Sequence, residues 1–330
     1  MVGAARPPAT GAQRRATGRG VVAWIAVSTE QPDPPGAAHS GADPEPAFPA
    51  PVPPIEMPPA RTVLVGGRGE FFLRDTGGDG PVVMLLHGWL ASADLNWCGA
   101  YGDLVAAGYR VLAIDHRGHG RGLRALTPFR LADCAADAAA VLRTLGLAPA
   151  LVVGYSMGGA IAQLVAREHP DVVAGLVLSG TAQHWQGTRE RRSWQAMAPL
   201  GFALALAPRR VWGAGFRRLG VAQEPRVAWL QSELLRHSAR DVAEAGRELG
   251  RFDSRPWLRE VKVPAAVVLT SNDDAVPPAR QHQLAESLGA AVFDAPIRHL
   301  QITTAPERYN PALLAALESV RSAAAAAQAA

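Results

Sequence analysis

The chain has 330 residues, of which 48% are hydrophobic, enough apolar material for one large domain with a sizeable core. Its net charge of +4 comes almost entirely from arginine, and the densest basic cluster, Thr188 to Arg192, includes a glutamate and lacks regular aromatic spacing, which argues against nucleic acid as a partner. The two cysteines, Cys98 and Cys134, have neither zinc nor redox spacing and fit a reducing, cytoplasmic location.

Residues 1–60 differ in composition from everything that follows. Proline, alanine and glycine dominate, and no periodic apolar face runs through the segment, so we expect a disordered tail. Arg14, Arg15 and Arg19 followed by Val21 to Val27 imitate a signal sequence, but the apolar run is at the short limit of the ~7–15 residues that a secretory segment needs. A cytoplasmic protein with no stable membrane insertion is favoured, with export or membrane association through this tail as the alternative.

From residue 61 onward, strand-like and helix-like runs alternate, which predicts an α/β fold with a mostly parallel, doubly wound sheet of about eight strands. An antiparallel hairpin over 61–75 should form one edge. Further strands are predicted near 82–86, 109–114, 151–155, 174–179, 265–270 and 290–295, and helices near 97–107, 131–145, 157–168, 279–287 and 306–319. The core is therefore assigned to 61–182 and 263–320, and the alanine-rich end, 321–330, is expected to fray.

Residues 183–262 interrupt this alternation with helical patterns alone. Ser238 to Asp241 has capping-box spacing and opens a helix predicted to stop by Gly250. Large aromatic residues are concentrated in this segment, and we expect most of them to pack it onto the core and some to line an apolar pocket. They are Trp185, Trp194, Trp212, Trp229 and Trp257.

The most informative segment is Leu151 to Gly159, an apolar β-branched run that breaks at Gly154-Tyr155-Ser156-Met157-Gly158 and continues into a helix-like stretch. This is the pattern of a nucleophile elbow, in which a serine is lifted onto a sharp strand-to-helix turn. Glycines two residues either side allow the strand and helix to close around the turn. The pattern predicts that Ser156 is a nucleophile.

A serine nucleophile requires an acid and then a histidine, each on a loop after a later strand. The strand pattern near 265–270 ends at Asn272-Asp273-Asp274, which makes Asp273 our predicted acid and Asp274 its competitor. The next strand ends shortly before His299, our predicted base. Because the carboxyl ends of parallel strands form the ligand crevice of an open sheet, these side chains should meet there.

With these residues in hand, the chain resembles the α/β-hydrolase superfamily over about residues 61–318. The stretches that carry the resemblance are His87-Gly88-Trp89, Asp115-His116-Arg117-Gly118-His119-Gly120, the elbow, and the Asp273 and His299 loops. The resemblance implies an oxyanion hole made by the backbone N–H groups of Trp89 and Met157. It also implies that 183–262 is a helical cap over the active site. Ser156 separates the chain from similar dehalogenases and epoxide hydrolases, which carry an aspartate nucleophile, and Ile297-Arg298 stands where a glycine often precedes the histidine.

Asp115, His116 and His119 offer possible metal ligands, but their spacing within a glycine-containing loop is unlike that of zinc sites. In the family the corresponding loop is structural, its Asp and Arg tying it down. We therefore expect neither a metal nor an organic cofactor.

Together these features predict a serine esterase that transfers the acyl group of a small, largely hydrophobic substrate to Ser156 and then to water. The same triad also serves hydrolases of carbon–carbon bonds and cofactor-free perhydrolases. A carbon–carbon hydrolase would need cationic residues in the cap, for which Arg189, Arg192 and Arg217 are available. A ligand-binding receptor with negligible turnover is a further alternative, and the oligomeric state is left open.

Overall fold

A computed structural model describes residue 53 and residues 55–187, 194–219 and 227–329. Most of the expected tail over 1–60 and the cluster Thr188 to Arg192 lie outside these residues. The described chain forms an eight-stranded sheet. Its strands are β1 (Ala60–Val65), β2 (Gly69–Asp75), β3 (Val82–Leu86), β4 (Arg110–Ile114), β5 (Ala150–Tyr155), β6 (Val173–Ser179), β7 (Ala265–Thr270) and β8 (Ala291–Ala295).

The strands lie in the order β1-β2-β4-β3-β5-β6-β7-β8. As predicted, β1 and β2 form an antiparallel hairpin at one edge, and every pair from β4 to β8 is parallel. Strands β3, β4, β5 and β7 are almost wholly buried, because helices cover both faces of the sheet. The order in which the chain adds strands to the sheet reverses at β3, since β4 lies on one side of it and β5 on the other. A ligand crevice is therefore expected above the carboxyl ends of these strands.

Two layers of helices flank the sheet, and the apolar residues of each layer form a separate core cluster. The helices of the α/β core are α1 (Ala93–Trp97), α2 (Tyr101–Ala106), α3 (Leu131–Leu145), α4 (Met157–Glu168), α9 (Pro278–Leu288) and α10 (Pro306–Ala329). Helices α3, α4 and α9 pack on one face, whereas α1, α2 and α10 pack on the other. This arrangement is the predicted doubly wound α/β fold.

Two expectations about the helices are wrong. The single helix predicted over 97–107 is split into α1 and α2, because Gly99 packs against Pro306 and its carbonyl accepts a hydrogen bond from the Asn310 side chain at 2.8 Å. At the other end, the helix expected to stop near residue 319 continues to Ala329. Alanine has the highest helix propensity, so this stretch prolongs the helix even though it is exposed to solvent.

Between β6 and β7 the described residues form a helical insertion, consisting of α5 (Met197–Leu206), α6 (Pro208–Leu219), α7 (Val227–Leu234) and α8 (Ala239–Arg251). As predicted, Ser238 caps α8, its hydroxyl accepting a hydrogen bond from the amide of Asp241 at 3.3 Å. Helices α5 and α8 pack together through Leu200, Leu204 and Val242. Within the described chain, no helix is long and apolar enough to cross a membrane.

Candidate active site

Ser156 lies at the sharp turn between β5 and α4. Its backbone has φ 54° and ψ −116°, a conformation that L-residues rarely adopt and that occurs mostly at functional sites. The strained turn is held from both sides, because the Ser156 amide donates to the carbonyl of Ser179 at 3.0 Å and the Thr181 hydroxyl donates to the Ser156 carbonyl at 2.8 Å. The turn presents the serine hydroxyl above the carboxyl end of the sheet.

The two glycines of the elbow are required by close backbone packing, as the sequence predicted. A Cβ on Gly154 would lie 2.3 Å from the carbonyl oxygen of Gly158, so strand and helix could not close. A Cβ on Gly158 would lie 2.1 Å from the carbonyl oxygen of Leu86, so α4 could not pack against the end of β3. Any side chain at either position would therefore displace Ser156.

The structure brings Ser156, His299 and Asp273 into one hydrogen-bonded line. The Nε2 atom of His299 lies 3.0 Å from the Ser156 Oγ, and its Nδ1 lies 2.7 Å from the Asp273 Oδ2. Since a carboxylate accepts, the imidazole carries its proton on Nδ1 and leaves Nε2 free to accept from the serine hydroxyl. The His299 side chain is 12% exposed and that of Asp273 is fully buried, so the line opens to solvent only at the histidine and serine.

The geometry distinguishes Asp273 from its competitor. The Asp273 Oδ1 accepts hydrogen bonds from the amides of Ala275 and Val276, each at 2.8 Å, which leaves Oδ2 aimed at His299. Asp274 is exposed on the same loop. The turn after β7 therefore places one carboxylate inward and the other outward.

Two residues that we did not single out from the sequence support Asp273 from behind. The Thr270 hydroxyl donates to the Asp273 Oδ2 at 2.8 Å and accepts from the Gln281 Nε2 at 2.8 Å. Gln281 is fully buried on α9, and its Oε1 also accepts from the Thr270 amide at 3.0 Å. A buried polar chain thus runs from α9 through β7 to the carboxylate. A threonine that ends a strand and a glutamine within a helix give no local signal of this role.

Tyr155 is another residue that the sequence reasoning missed. Its side chain is buried, and its hydroxyl donates to the carbonyl of His299, tying the histidine loop to the strand that carries the serine. Burial raises the pKa of the Tyr155 hydroxyl well above its ordinary value, so the group keeps the proton that it donates. Tyr155 occupies the variable position of the G-x-S-x-G pattern, which is why the pattern alone did not reveal it.

The loop before His299 needs no glycine. Arg298 has an extended backbone, φ −82° and ψ 162°, and its amide donates to the Gln301 side chain at 2.8 Å. The Ile297 side chain is fully buried in the core cluster that lies under α10. The departure from the family pattern is accommodated because one side chain points into the core and the other into solvent.

The predicted oxyanion residues come from two segments that meet at Ser156, the loop after β3 and the start of α4. Met157 begins α4, where the first amides have no partner within the helix. Gly88 packs against the Ser156 side chain, and its amide is taken by the Asn96 Oδ1 at 2.9 Å. Trp89 follows directly, and its indole N–H donates to the carbonyl of Val242 on α8 at 2.8 Å. The side chain of Trp89 thus connects the loop beside the serine to the helical insertion.

The Asp115-to-Gly120 segment is fixed by hydrogen bonds within the fold. Asp115 is fully buried, and its carboxyl accepts from the amides of Ala93 and Arg121, each at 2.7 Å. Burial raises the pKa of Asp115 to about 6, against the opposing effect of those two hydrogen bonds. Arg117 makes a bidentate ion pair with Asp137 on α3 at 2.7 and 2.9 Å. This loop holds α1 and α3 in place rather than facing Ser156 directly.

Four histidines pack around this loop: His87, His116 and His119 are buried, and His237 is half-buried. Ring centroids of neighbouring members lie 4.3 to 5.5 Å apart. The Nε2 of His87 accepts from the amide of His116 at 2.9 Å, and the Nδ1 of His237 accepts from the amide of Gly120 at 2.8 Å. Burial lowers the pKa of His116 and of His237 to about 3 and that of His87 and His119 well below its ordinary value. All four are therefore neutral at pH 7.

An apolar cavity of about 230 Å³ lies within the helical insertion. Its lining includes Leu204, Pro208 and Trp212 from α5 and α6, together with Val242 of α8. The side chains of the triad do not line this cavity. Trp212 is thus one of the aromatic residues predicted to line an apolar pocket, whereas Trp185, Trp229 and Trp257 are buried.

Comparison with known proteins gives concordant results. The model of a family described as the alpha/beta hydrolase fold matches residues 81–204. A non-heme chloroperoxidase from Streptomyces lividans is 31% identical over 78% of this chain and 99% of its own length. A bifunctional esterase/perhydrolase from Acinetobacter calcoaceticus is 40% identical over 33% of this chain and 40% of its own length. The crystal structure of a hydrolase from Pseudomonas aeruginosa superposes with a TM-score of 0.67 at 24% identity, over 78% of this chain and 98% of that one.

Proposed function

We propose that this chain, which belongs to the α/β-hydrolase fold family, is a serine hydrolase that cleaves an ester or related acyl bond through an acyl-enzyme intermediate. The observation that carries the proposal is the hydrogen-bonded line from Ser156 through His299 to Asp273, at 3.0 and 2.7 Å. A serine on a strained turn, an imidazole facing it and a buried carboxylate behind the imidazole are the parts that acyl transfer requires.

In the first step the Ser156 Oγ attacks the substrate carbonyl while the His299 Nε2 accepts its proton. Asp273 keeps the Nδ1 proton in place and stabilises the imidazolium that forms. The negative charge then develops on the carbonyl oxygen, near the amides of Met157 and Trp89. Each such donor supplies about 2.7–4 kcal/mol to transition-state stabilisation in well-studied hydrolases.

The imidazolium then protonates the leaving group, which departs as an alcohol and leaves the acyl-enzyme. Water then attacks the acyl-enzyme, His299 takes a proton from that water, and the tetrahedral intermediate collapses to release a carboxylic acid and the free Ser156 hydroxyl. Protons balance over the cycle, since the proton taken from Ser156 leaves with the alcohol and the one taken from water returns to the serine.

The surroundings of the serine favour a hydrophobic substrate. The Trp89 ring packs edge-on against Trp194 at 5.8 Å between centroids, and Gly246 of α8 lies against both Trp89 and Met197. These apolar contacts join the loop beside the serine to the helical insertion, and we propose that the insertion acts as a cap that excludes water from the acyl group.

Perhydrolysis is a second candidate, favoured by the names of the two relatives reported above. Hydrogen peroxide would replace water as the nucleophile on the acyl-enzyme, with His299 accepting its proton, and a peroxycarboxylic acid would be released in place of the carboxylic acid. The peracid would then oxidise halide in solution. This reaction uses the same triad, so the two activities would be lost together on mutation of Ser156.

The test is labelling of the purified protein with a fluorophosphonate probe, alongside Ser156→Ala and a series of p-nitrophenyl esters of increasing acyl length. We expect labelling and ester hydrolysis in the wild type and neither in the variant. Peroxide-dependent halogenation that requires a carboxylic acid would add perhydrolysis. An unlabelled and inactive wild type that is nevertheless stabilised against unfolding by hydrophobic esters would contradict the proposal and favour a receptor.

A further inference from the structure

Helix α5 is apolar on every side although it lies at the surface. Its sequence, MAPLGFALAL, has no polar side chain. One side packs on α8, where Leu200 and Leu204 are buried. The opposite side is open to solvent, with Phe202 and Leu206 68% and 69% exposed. These two residues are one helical turn apart, and three smaller apolar residues share their exposed face, namely Ala198, Pro199 and Ala205.

A helix that is hydrophobic all round is normally buried in a large core or in a membrane. With 10 residues, α5 is far too short to span a bilayer, which takes about 20. Its exposed face is also contiguous, whereas apolar residues on the surface of a protein are usually scattered. The face therefore requires a partner that lies against the protein.

Helix α6 supplies the charge that identifies this partner. It follows α5 after a single residue, and Arg209, Arg210 and Arg217 are exposed on it while Val211 and Trp212 are half-buried. From Met197 to Leu219 the sequence contains four arginines and no acidic residue. None of the three exposed arginines makes an ion pair with another part of the described chain.

The neighbouring helices are different. From Val227 to Arg251, covering α7 and α8, four arginines are matched by four acidic residues. Several of these are paired within the insertion, as Arg240 is with Glu244 at 3.0 Å and Arg251 with Glu248 at 3.3 Å. The excess positive charge of helices α5 to α8 therefore belongs to α6, which follows α5 after a single residue.

We propose that this α5–α6 surface, formed by Phe202 and Leu206 with Arg209, Arg210 and Arg217, docks the protein on an anionic phospholipid bilayer. Apolar side chains enter the boundary between headgroups and acyl chains, and arginines contact the acidic headgroups, the combination that holds interfacial helices on membranes. A second copy of the chain fits less well, because a twofold interface would bring two copies of the same positively charged surface together. Nucleic acid does not account for the exposed phenylalanine and leucine.

The apolar cavity between these helices gives the surface a second use. Leu204 and Pro208 line it at the junction of α5 and α6, next to the exposed Leu206. A protein docked by this surface would hold this cavity against the lipid, where hydrophobic esters concentrate. The docking itself does not depend on catalysis by Ser156.

The test is co-sedimentation of the full-length protein with phosphatidylcholine vesicles that contain or lack about 30% phosphatidylserine, an anionic lipid. We expect binding only to the acidic vesicles, weakened by added salt. The triple variant Arg209→Gln, Arg210→Gln, Arg217→Gln should lower the partition coefficient by roughly 100-fold, at about fivefold for each arginine. Phe202→Ser with Leu206→Ser should lower it by at least about tenfold, from the apolar area lost.

Matched variants serve as controls. Arg143→Gln, Arg255→Gln and Arg321→Gln remove the same charge from exposed arginines that are paired elsewhere on the surface. Leu64→Ser with Leu126→Ser removes two leucines that are 71% and 95% exposed away from α5. We expect both controls to bind vesicles like the wild type, and all variants to hydrolyse a water-soluble ester at the wild-type rate.

The proposal is overturned if the wild type does not bind acidic vesicles, or if the controls lose as much binding as the α5–α6 variants. A dimer that forms without vesicles and dissociates in the Phe202 and Leu206 variant would instead assign the surface to a second copy. Because hydrolysis of the water-soluble ester is measured in parallel, failure of membrane docking is distinguished from failure of the proposed function.

Discussion

His299 differs from four other histidines of this molecule in every property that decides whether an imidazole can act as a base. His299 is partly exposed, lies 2.7 Å from a buried carboxylate and faces a serine hydroxyl at 3.0 Å. His87, His116 and His119 are buried around the Asp115 loop and His237 is half-buried there, and the ring hydrogen bonds of His87, His119 and His237 are to backbone groups. Proton transfer requires access and a partner that stabilises the imidazolium, and the buried group has neither.

The comparison also shows why residue type is a poor guide to function. Of these five histidines, four occur in the motifs that carry the family resemblance, and His237 is the exception. Burial keeps the four other than His299 neutral, so they act as small polar packing groups, and the rings of His87 and His237 accept hydrogen bonds from the amides of His116 and Gly120. The functional assignment of His299 depends on its partners rather than on its being a histidine.

The largest effect is expected when Ser156, the residue that donates its proton to His299, is replaced. Ser156→Ala should lower kcat for ester hydrolysis by about 10⁶-fold, as removal of the nucleophile does in related chemistry. The melting temperature should stay close to that of the wild type, because the change removes one oxygen atom and leaves the elbow glycines intact. Activity within a few-fold of wild type would remove Ser156 from the mechanism.

The next test separates the two adjacent carboxylates. Asp273→Asn should lower kcat by about 10⁴-fold, because an amide in that position can donate to the imidazole and stabilise the wrong tautomer. Asp274→Asn, on the exposed side of the same loop, should leave kcat near the wild-type value. Steady-state kinetics of the two variants decide the matter, and a greater loss at position 274 would reverse our assignment of the acid.

For the buried histidines we predict an effect on stability instead of catalysis. Their pKa values are lowered in the folded protein, so below the unfolded value of 6.5 the unfolded chain binds more protons than the folded one. The free energy of unfolding should fall as the pH drops from about 6.5, by about 1.4 kcal/mol per pH unit for each histidine. Asp115 opposes this effect: its pKa is raised to about 6 in the folded protein, so at lower pH the folded chain binds one proton that the unfolded chain does not.

Urea denaturation at a series of pH values between 7 and 5 measures this slope, and the carboxylates of the unfolded chain remain mostly ionised over that range. The His282→Gln variant, a change at an exposed histidine outside the cluster, is measured alongside as the matched control. A stability that does not vary between pH 6.5 and 5 would mean that the cluster is protonated in the folded protein.

The smallest effect concerns the support of Asp273. Thr270→Val keeps the shape of the side chain but removes the hydroxyl that donates to the carboxylate, and we expect kcat to fall roughly tenfold, the cost of one hydrogen bond to a charged group. Thr270→Ser should restore most of the activity. KM should be unchanged in both variants, because Thr270 lies behind Asp273. Equal losses in the valine and serine variants would assign Thr270 a packing role only.

Much of the site could be predicted from local sequence because its parts carry their own signals. A glycine two residues either side of Ser156 marks the elbow. The strand patterns before Asp273 and His299 place both residues at the carboxyl ends of parallel strands. The antiparallel hairpin, the doubly wound sheet and the Ser238 cap are likewise local consequences of periodicity and turn chemistry.

The two errors about helices have different causes. The break between α1 and α2 depends on a distant residue, because Gly99 packs against Pro306. The continuation of α10 is a local effect, because alanine propensity outweighs the absence of burial. Thr270 and Gln281 were missed because neither belongs to a motif, and their role arises from the hydrogen bonds that connect α9 and β7 to Asp273. Tyr155 was missed because its partner, the carbonyl of His299, is far away in sequence.

The sequence by itself determined the sheet, the elbow and the order of the serine, acid and histidine, since hydrophobic periodicity and glycine positions encode these within a few residues. Only the tertiary structure decided which aspartate faces His299, which histidines are buried and neutral, and where α5 leaves an apolar face exposed to solvent. Those properties depend on burial and on the distances between side chains, which arise only when separate segments pack together.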